Sequence, residues 1–402
     1  MKTIAVIFGG RSAEHDVSII TAHIPIIDSL LASSSTSLTV NGEFDVWPVY
    51  ITKEGRWYAD QRMNDLSFFK QPDYEARLAD KKQVQISFDK GLSLVRPGLL
   101  SKKIKIDIVF PAMHGTYGED GSLMGLLRMA GVPFVGCDIF ASAVAMDKVL
   151  TKQVVAAEGM SVVPYVWFTR AEWERDAASI HTRMEALHRP VFVKPVHFGS
   201  SIGITKAKSD TDLERAIEVA LHYDDKILVE ESVEHLIEVT LPIMGNEDPK
   251  PALLERPLNK TEFFNFNDKY MSGGKNPSTG SGSSKGGGVN TEYSEIPAKI
   301  SDKMTRRVIE LGLQVFRTLG CTGIARVDFL INADTGAIYI NEVNTLPGSL
   351  YHHNWRKAGV SNMDLVLGLV KLAEERYAAQ KKLTLSFQSD ILKKVGGPKV
   401  QR

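Results

Sequence analysis

Arg326 and Asp328 stand two residues apart in "GIARVDFLI", and Glu342 and Asn344 stand two apart in "AIYINEVNT". Side chains alternate across a strand, so each pair shares a face if the two segments are strands. If those faces coincide, one surface carries a cation, two carboxylates and an amide. Such oxygen donors suit a hard cation such as Mg2+, which keeps some of its waters and is shared with substrate phosphates. The plain alternative is an exposed sheet face with ordinary cross-strand pairs. Val327, Phe329, Ile338 and Ile340 argue for a core hairpin instead, where unpaired charges are costly.

"FVKPVHFGSSIGI" is a second candidate. Lys194 lies on an apolar strand, and the Gly199-Ser200-Ser201 turn offers two hydroxyls and backbone amides with little bulk, a cradle for phosphates. Its plain reading is a hairpin turn with a snorkelling lysine. Lys148, in "AMDKVL", sits in the first turn of a helix, where a lysine is usually solvated. "GGRSAEHDVS" and "HGTYGEDGS" are Gly-bounded polar loops directly after apolar strands, where ligands bind in an open α/β sheet. Glu14, Asp16, His114, Glu119 and Asp120 in them serve equally well as loop caps. There is no G-x-x-x-x-G-K-[ST] and no G-x-G-x-x-G after the first strand, which disfavours a P-loop enzyme and a dinucleotide oxidoreductase. The ten histidines show no zinc spacing, and His352 and His353 face opposite ways on a strand.

These residues need strands and helices to hold them. "TIAVIFGG", "FDVWPVYIT", "IDIVFPAMHG" and "VPFVGC" read as buried strands with helices between, an α/β unit over 1–137. A second unit, 138–233, has the helix "DKVLTKQVVAAEGM" and the strands "VVPYVWFT", "PVFVKPV", "IGITKA" and "KILVEESV"; Thr211 and Glu214 suggest a capping box for "LERAIEVALHY". A third, 234–380, has the strand "IEVTLPIMG", the helix "DKMTRRVIELGLQVFRTLG" and the hairpin that opened this section, turned by "NADTG". Within it, 272–290 is a Gly/Ser-rich insertion that cannot pack a core and is expected to be mobile. A tail, 381–402, has no readable chemistry.

At 402 residues the chain exceeds one ordinary core. Lysine and arginine (48) balance aspartate and glutamate (48), which removes the electrostatic footprint of a nucleic-acid or anionic-membrane binder and leaves small molecules as partners. Cys137 and Cys321 are too few for a disulfide framework and fit a reducing cytosol. The N-terminal run is a first strand rather than a signal peptide, and no run approaches the roughly 20 apolar residues of a membrane helix.

Taken in order, "GGRSAEHDVS", "HGTYGEDGSLMG", "SAVAMDKVLTKQV", "VKPVHFGSSIGI", "DKY", "GIARVDFL" and "NEVNTLPG" resemble the D-alanine-D-alanine ligases of the ATP-grasp superfamily. The resemblance runs from about Lys2 to His353. It implies a three-domain ATP-grasp fold: an N-terminal parallel-sheet α/β domain and two α+β domains gripping ATP. It also implies the activity. ATP phosphorylates the carboxylate of one D-alanine, and the amine of a second attacks the acyl phosphate to give the dipeptide, ADP and phosphate, in cytoplasmic peptidoglycan precursor synthesis. Lys148 and Lys194 match the lysines on the ATP phosphates, and Lys269 matches a loop lysine that reaches the γ-phosphate. Asp328, Glu342 and Asn344 match the ligands of two Mg2+ (or Mn2+) ions. Arg326 and the Gly348 amide match the oxyanion stabilisers, and Glu14, Ser200 and Tyr270 match a hydrogen-bonded trio around the first substrate's ammonium. Ser201 belongs to the same phosphate-side loop. Glu230 and Glu238 match acidic residues around adenine and ribose, and His114 a histidine near the substrates. The Lys269-Tyr270 pair is similar to that of enzymes making the dipeptide rather than a depsipeptide. A homodimer is carried over from the family.

Three departures stand out. Where the family has a Ser-Leu pair against the second substrate's carboxylate, this chain has His353 and Asn354, flanked by Tyr351 and Trp355. Ile237 replaces an arginine, and the insertion at 272–290 follows Tyr270. Histidine is expected to take the acceptor's carboxylate and tryptophan to wall its side chain. The rival readings are a paralogous carboxylate-amine ligase with another acceptor and a nucleotide-binding regulator without catalysis.

Overall fold

A computed structural model describes residues 1–35, 44–79, 83–89, 91–98, 102–258, 294–386, 389 and 391–394. Lys269, Tyr270 and the 272–290 insertion therefore lie outside the described residues.

Three of the four apolar runs near the N-terminus become strands of one sheet. Lys2–Gly9 lies at its centre, parallel to Phe44–Ile51 on one side and to Ile108–Pro111 on the other, with Trp57–Ala59 antiparallel at the edge. Such an all-apolar strand needs cover on both faces. One face carries Ile4, Val6 and Phe8 into a core with Ile26 and Leu30. The other carries Ala5 and Ile7 against Leu123 and Leu127 and a small sheet containing Leu94 and Ile104. The fourth run, "VPFVGC", is not a strand. It makes a single parallel bridge, Val109 to Phe134, because Gly136 at φ 97° turns the chain away and Asp138 caps a helix at once.

The second sheet has the order Thr205–Ala207, Val191–Pro195, Lys226–Glu231, Tyr165–Thr169, all antiparallel. Its core joins Phe168, Val193 and Ile227 to Leu213 and Ile217 of the helix Asp210–Tyr223. That helix has its capping box at Ser209 and Asp212, not at Thr211 and Glu214. Ser209 is the last extended residue, so its hydroxyl is the one placed to accept from the Asp212 N–H.

The third sheet runs Lys250–Pro251, Leu236–Gly245, Gly323–Asn332, Ile338–Asn344. The expected hairpin forms with Arg326 opposite Asn344 and Asp328 opposite Glu342, and a bulge follows Asp328. Its apolar face, Val327, Phe329 and Ile340, packs on Val315 and Phe316 of the helix Asp302–Thr318. Full burial of each such side chain contributes on the order of 2 kcal/mol. The unit does not stand apart from the first. Leu365 and Leu369 of the helix Asn362–Gln380 enter the core around Ile26 and Leu30, as do Leu346 and Trp355. Gly323 lies so near Gly136 that a Cβ on it would stand 3.0 Å from the Gly136 nitrogen.

Candidate active site

The three units meet at one cleft. Glu14, Gly115 and Glu119 line it from the first, Lys148, Phe198 and Gly199 from the second, and Glu342, Asn344 and Thr345 from the third.

The hairpin supplies the densest charge. Arg326 donates from Nε and Nη2 to the two oxygens of Asp328 at 2.7 and 2.5 Å, and Asn344 donates to Asp328 Oδ2 at 3.2 Å. All four side chains thus lie on one face, with Asp328 and Glu342 in register. Burial alone would lower the Arg326 pKa, but Asp328 holds it well above its ordinary value, so this guanidinium stays charged. The Tyr351 ring lies beneath it, 5.0 Å from the guanidinium carbon.

Opposite stand the lysines. Lys148, far from solvated, is buried; its ammonium reaches the Phe198 carbonyl at 2.7 Å and lies 4.0 Å from Glu342. Lys194 pairs with Glu230, which is itself 2.8 Å from Lys152. Desolvation would raise Glu230, yet Lys152 and Lys194 bring it down to about 2. Burial pulls the Lys152 pKa down, and Glu230 offsets only part of that. For Lys194 the charges of Glu230, Glu342 and Glu238 outweigh burial and the pKa is raised. Glu238 is half-buried on the strand Leu236–Gly245 of the third sheet. Lys152 was not legible as a site residue. Its i,i+4 relation to Lys148 says only that both share a helix face.

The Gly-Ser loop closes the third side. Ser200 donates to Glu14, joining the second unit to the first. Ser200 and Ser201 both have positive φ, 53° and 59°, a costly conformation for non-glycine residues that the surroundings must enforce. Gly199 permits the approach, since a Cβ there would come within 3.0 Å of the Glu14 carboxylate. His114 is buried with Nε2 2.8 Å from the Thr21 hydroxyl, which also accepts from the Ser349 N–H at 2.9 Å. Burial would lower the His114 pKa, but Glu119 and Glu14 raise it. The remaining loop acids keep their plain reading. Asp120 accepts from the Tyr117 and Ser122 amides, Glu119 accepts from the Gly115 amide, and exposed Asp16 lies 3.6 Å from Lys53.

Beyond Gly348 the backbone turns through three consecutive left-handed residues, Ser349, Leu350 and Tyr351. This begins a short helix over His352–Lys357 rather than the strand on which His352 and His353 would oppose each other. His353 is half-exposed; its Nε2 is 2.9 Å from Glu255, and its ring is 4.7 Å from that of Tyr351. Two expectations are corrected. Asn354 is fully buried, donating to the Leu253 carbonyl and to Glu255 and accepting from the Leu253 amide, so its amide has internal partners instead of a substrate. Trp355 is buried in the first core and walls no acceptor. Glu255, unnoticed in the sequence because "LLERP" carries no motif, is the residue that organises this corner.

Comparison with known proteins agrees with this layout. Residues 3–137 match the model of the D-ala D-ala ligase N-terminus, and residues 154–371 that of the D-ala D-ala ligase C-terminus. The D-alanine–D-alanine ligase of Acetivibrio thermocellus is 34% identical, covering 94% of this chain and 96% of its own. The D-alanine–D-alanine ligase A of Chromobacterium violaceum is 35% identical, with 96% and 98% covered. Among solved structures, the VanG D-Ala:D-Ser ligase from Enterococcus faecalis superposes with a TM-score of 0.74 at 31% identity, covering 92% of this chain and 99% of that one. The Coxiella burnetii D-alanine-D-alanine ligase gives 0.73 at 27%, covering 95% and 98%. Matched in both halves and along nearly its whole length, the chain belongs to the D-alanine–D-alanine ligase family, whose members use ATP, and its fold is the ATP-grasp fold.

Proposed function

We propose that this protein joins two D-alanines at the expense of ATP, giving D-alanyl-D-alanine, ADP and phosphate for peptidoglycan precursor synthesis in the cytoplasm. The observation that carries the reading is one cleft lined by Glu14, Lys148, Glu342 and Asn344, in which Asn344 is bonded to the Arg326-Asp328 pair and Glu14 to Ser200.

The chemistry follows from charge. Lys148 and Lys194 hold the ATP phosphates, with Ser201 and the loop amides around them, while Glu230 and Glu238 face the base and ribose end. Glu14, with Ser200 and His114, holds the first D-alanine so that its carboxylate attacks the γ-phosphorus, breaking the bond to ADP. The second amine then attacks the acyl phosphate carbon and phosphate leaves. Negative charge gathers on phosphoryl and carbonyl oxygens in both steps. Arg326, kept cationic, and the Gly348 amide stabilise it in place, which is where most of the acceleration in such reactions arises. Lys269 and Tyr270 complete the donor side from the loop beyond the described residues.

Asp328, Glu342 and Asn344 also fit divalent cations. The ligand atoms they offer are oxygens, and the two carboxylates stand in register. These three residues would hold two Mg2+ or Mn2+ ions, which would neutralise phosphate charge when bound.

The units 1–137, 138–233 and 234–380 act as donor-side domain and the two jaws. The stretch His15–Ser33 is long and apolar enough to cross a membrane but is 61% buried within the fold, which supports a core role. A homodimer is tested by light scattering.

The deciding experiment supplies D-alanine, ATP and Mg2+, follows phosphate release and identifies the product by mass. Steady formation of D-alanyl-D-alanine supports the reading. Phosphate released only when D-serine or another amine is added reassigns the acceptor, and no turnover with any amine returns the chain to the regulator reading.

A further inference from the structure

We infer that His197 is a positioning residue, which as an imidazolium bridging Asp147 and Asp224 locks Lys148 and the Gly199-Ser201 loop into one frame. The inference rests on the phosphate-side assignment proposed above.

His197 stands between the strand Val191–Pro195 and the loop. Its backbone N–H donates to Asp224 Oδ2 at 2.7 Å, its Nδ1 is 3.0 Å from Asp224 Oδ1, and its Nε2 is 3.4 Å from Asp147 Oδ2. Asp147 is the residue before Lys148 and the N-cap of its helix, accepting from the amides of Val149 and Leu150 at 2.9 Å. It thereby fixes where that helix begins. Lys148 closes the circuit from the other direction, its ammonium lying 2.7 Å from the Phe198 carbonyl and 3.4 Å from that of Val196, the two carbonyls on either side of His197. Two cross-links of opposite sense thus tie the helix start to the loop start. The loop needs such anchors, since two of its serines hold left-handed backbones.

The bridge demands a charged ring. A neutral imidazole donates from one nitrogen only, so its other nitrogen would face a carboxylate lone pair. The groups around the ring agree: Asp147 at the helix start, Asp224 and Asp225 ahead of the strand Lys226–Glu231, and Lys226, whose ammonium takes Asp147 at 2.7 Å. Hydrogen bonds to Asp147 and Asp224 push the His197 pKa up to about 9. Asp147 is held below the usual carboxylate range, burial being outweighed by His197 and Lys226. The sign follows. His197 is raised above its ordinary 6.5, so the clamp is complete below that value and is lost as pH climbs through about 9.

The test measures binding of a non-hydrolysable ATP analogue by calorimetry from pH 7 to 10, with KM for ATP and kcat alongside. At pH 7.5, His197→Gln, which keeps one hydrogen bond and loses the charge, is expected to weaken nucleotide binding about tenfold and to raise KM more than it lowers kcat. Wild type is expected to lose affinity as pH passes about 9, a step absent from His197→Gln and from His197→Arg, which stays charged and binds within about threefold of wild type. Thermal unfolding checks that the variants fold, and a Gln variant that does not fold leaves the decision to the Arg profile. If His197→Gln or His197→Arg retains the wild-type step, or if the Gln variant binds normally, the inference is overturned. Lys148→Ala separates the two levels. Unchanged binding there removes the phosphate-side reading itself, whereas weakened binding there beside normal binding in His197→Gln removes only the clamp.

Discussion

The two ends of the cleft are built in opposite ways. On the side we propose for the phosphates, Lys152, Glu230, Lys194 and Lys148 form a run of buried charges, mounted on regular helix and strand, each within reach of an opposite charge. On the side we propose for the acceptor, one turn of left-handed backbone carries Tyr351 under Arg326 and His353 against Glu255, so that aromatic rings stand between the charged groups. Phosphoryl transfer needs fixed charge at fixed points, and a low-dielectric setting makes each charge count. Choosing an amine needs shape and one or two placed polar groups, for which many backbones serve. The same enzyme can therefore keep the first end constant in chemistry while the second is rebuilt.

Arg326 lies over the Tyr351 ring and pairs with Asp328, and breaking it should have the largest effect. Arg326→Ala is expected to lower kcat about a thousandfold while nucleotide binding stays nearly intact, read by phosphate release and calorimetry. Normal turnover would remove Arg326 from the oxyanion role. Next comes the interior of the charged end. Lys152→Met leaves Glu230 with Lys194 as its one close cation among the described residues, and the loss should be about 3 kcal/mol of stability in denaturant unfolding. A variant as stable as wild type would mean that water already reaches the pair.

The acceptor end should yield smaller and more selective changes. Glu255→Gln removes the charge beneath His353, and KM for the acceptor is expected to rise about tenfold with KM for ATP unchanged. Equal effects on both constants would show a general loosening and dissolve the contrast between the two ends. Smallest is Tyr351→Phe. It loses the hydroxyl contact with Thr240 at 3.3 Å but keeps the ring under Arg326, and kcat/KM should fall by less than about threefold. A drop as deep as that of Arg326→Ala would instead give the phenol a place among the reacting groups.

What could be read ahead of the structure follows the same division. Alternation within each strand predicted that Arg326 and Asp328 share one face and Glu342 and Asn344 another; a strict period of two would also have set Ile340 beside Glu342, and the bulge after Asp328 is what sends Ile340 to the apolar face with Phe329. Lys152 and Glu230 were not paired in advance. They lie 78 positions apart on a helix and a strand of the second unit that meet only when that unit folds. The capping box was misplaced by two residues because Ser209 and Thr211 are equivalent by type, and only the extended backbone at Ser209 selects between them. Tyr270 and Lys269 fall outside the described residues, so the trio with Glu14 and Ser200 is drawn with two members.

Residue types and short spacings by themselves pointed to the chemistry: a carboxylate pair with an amide, a lysine on an apolar strand, a Gly-Ser loop and a family order of motifs. Each works through a local rule, strand alternation or loop flexibility, that operates before any long-range contact forms. Tertiary structure alone decided that Trp355 and Asn354 turn inward, that Glu255 stands under His353, and that a histidine beside the loop joins two aspartates 77 positions apart. Those outcomes depend on which surfaces meet when separate units pack, and packing is set by the shape of the whole core rather than by any stretch of the chain.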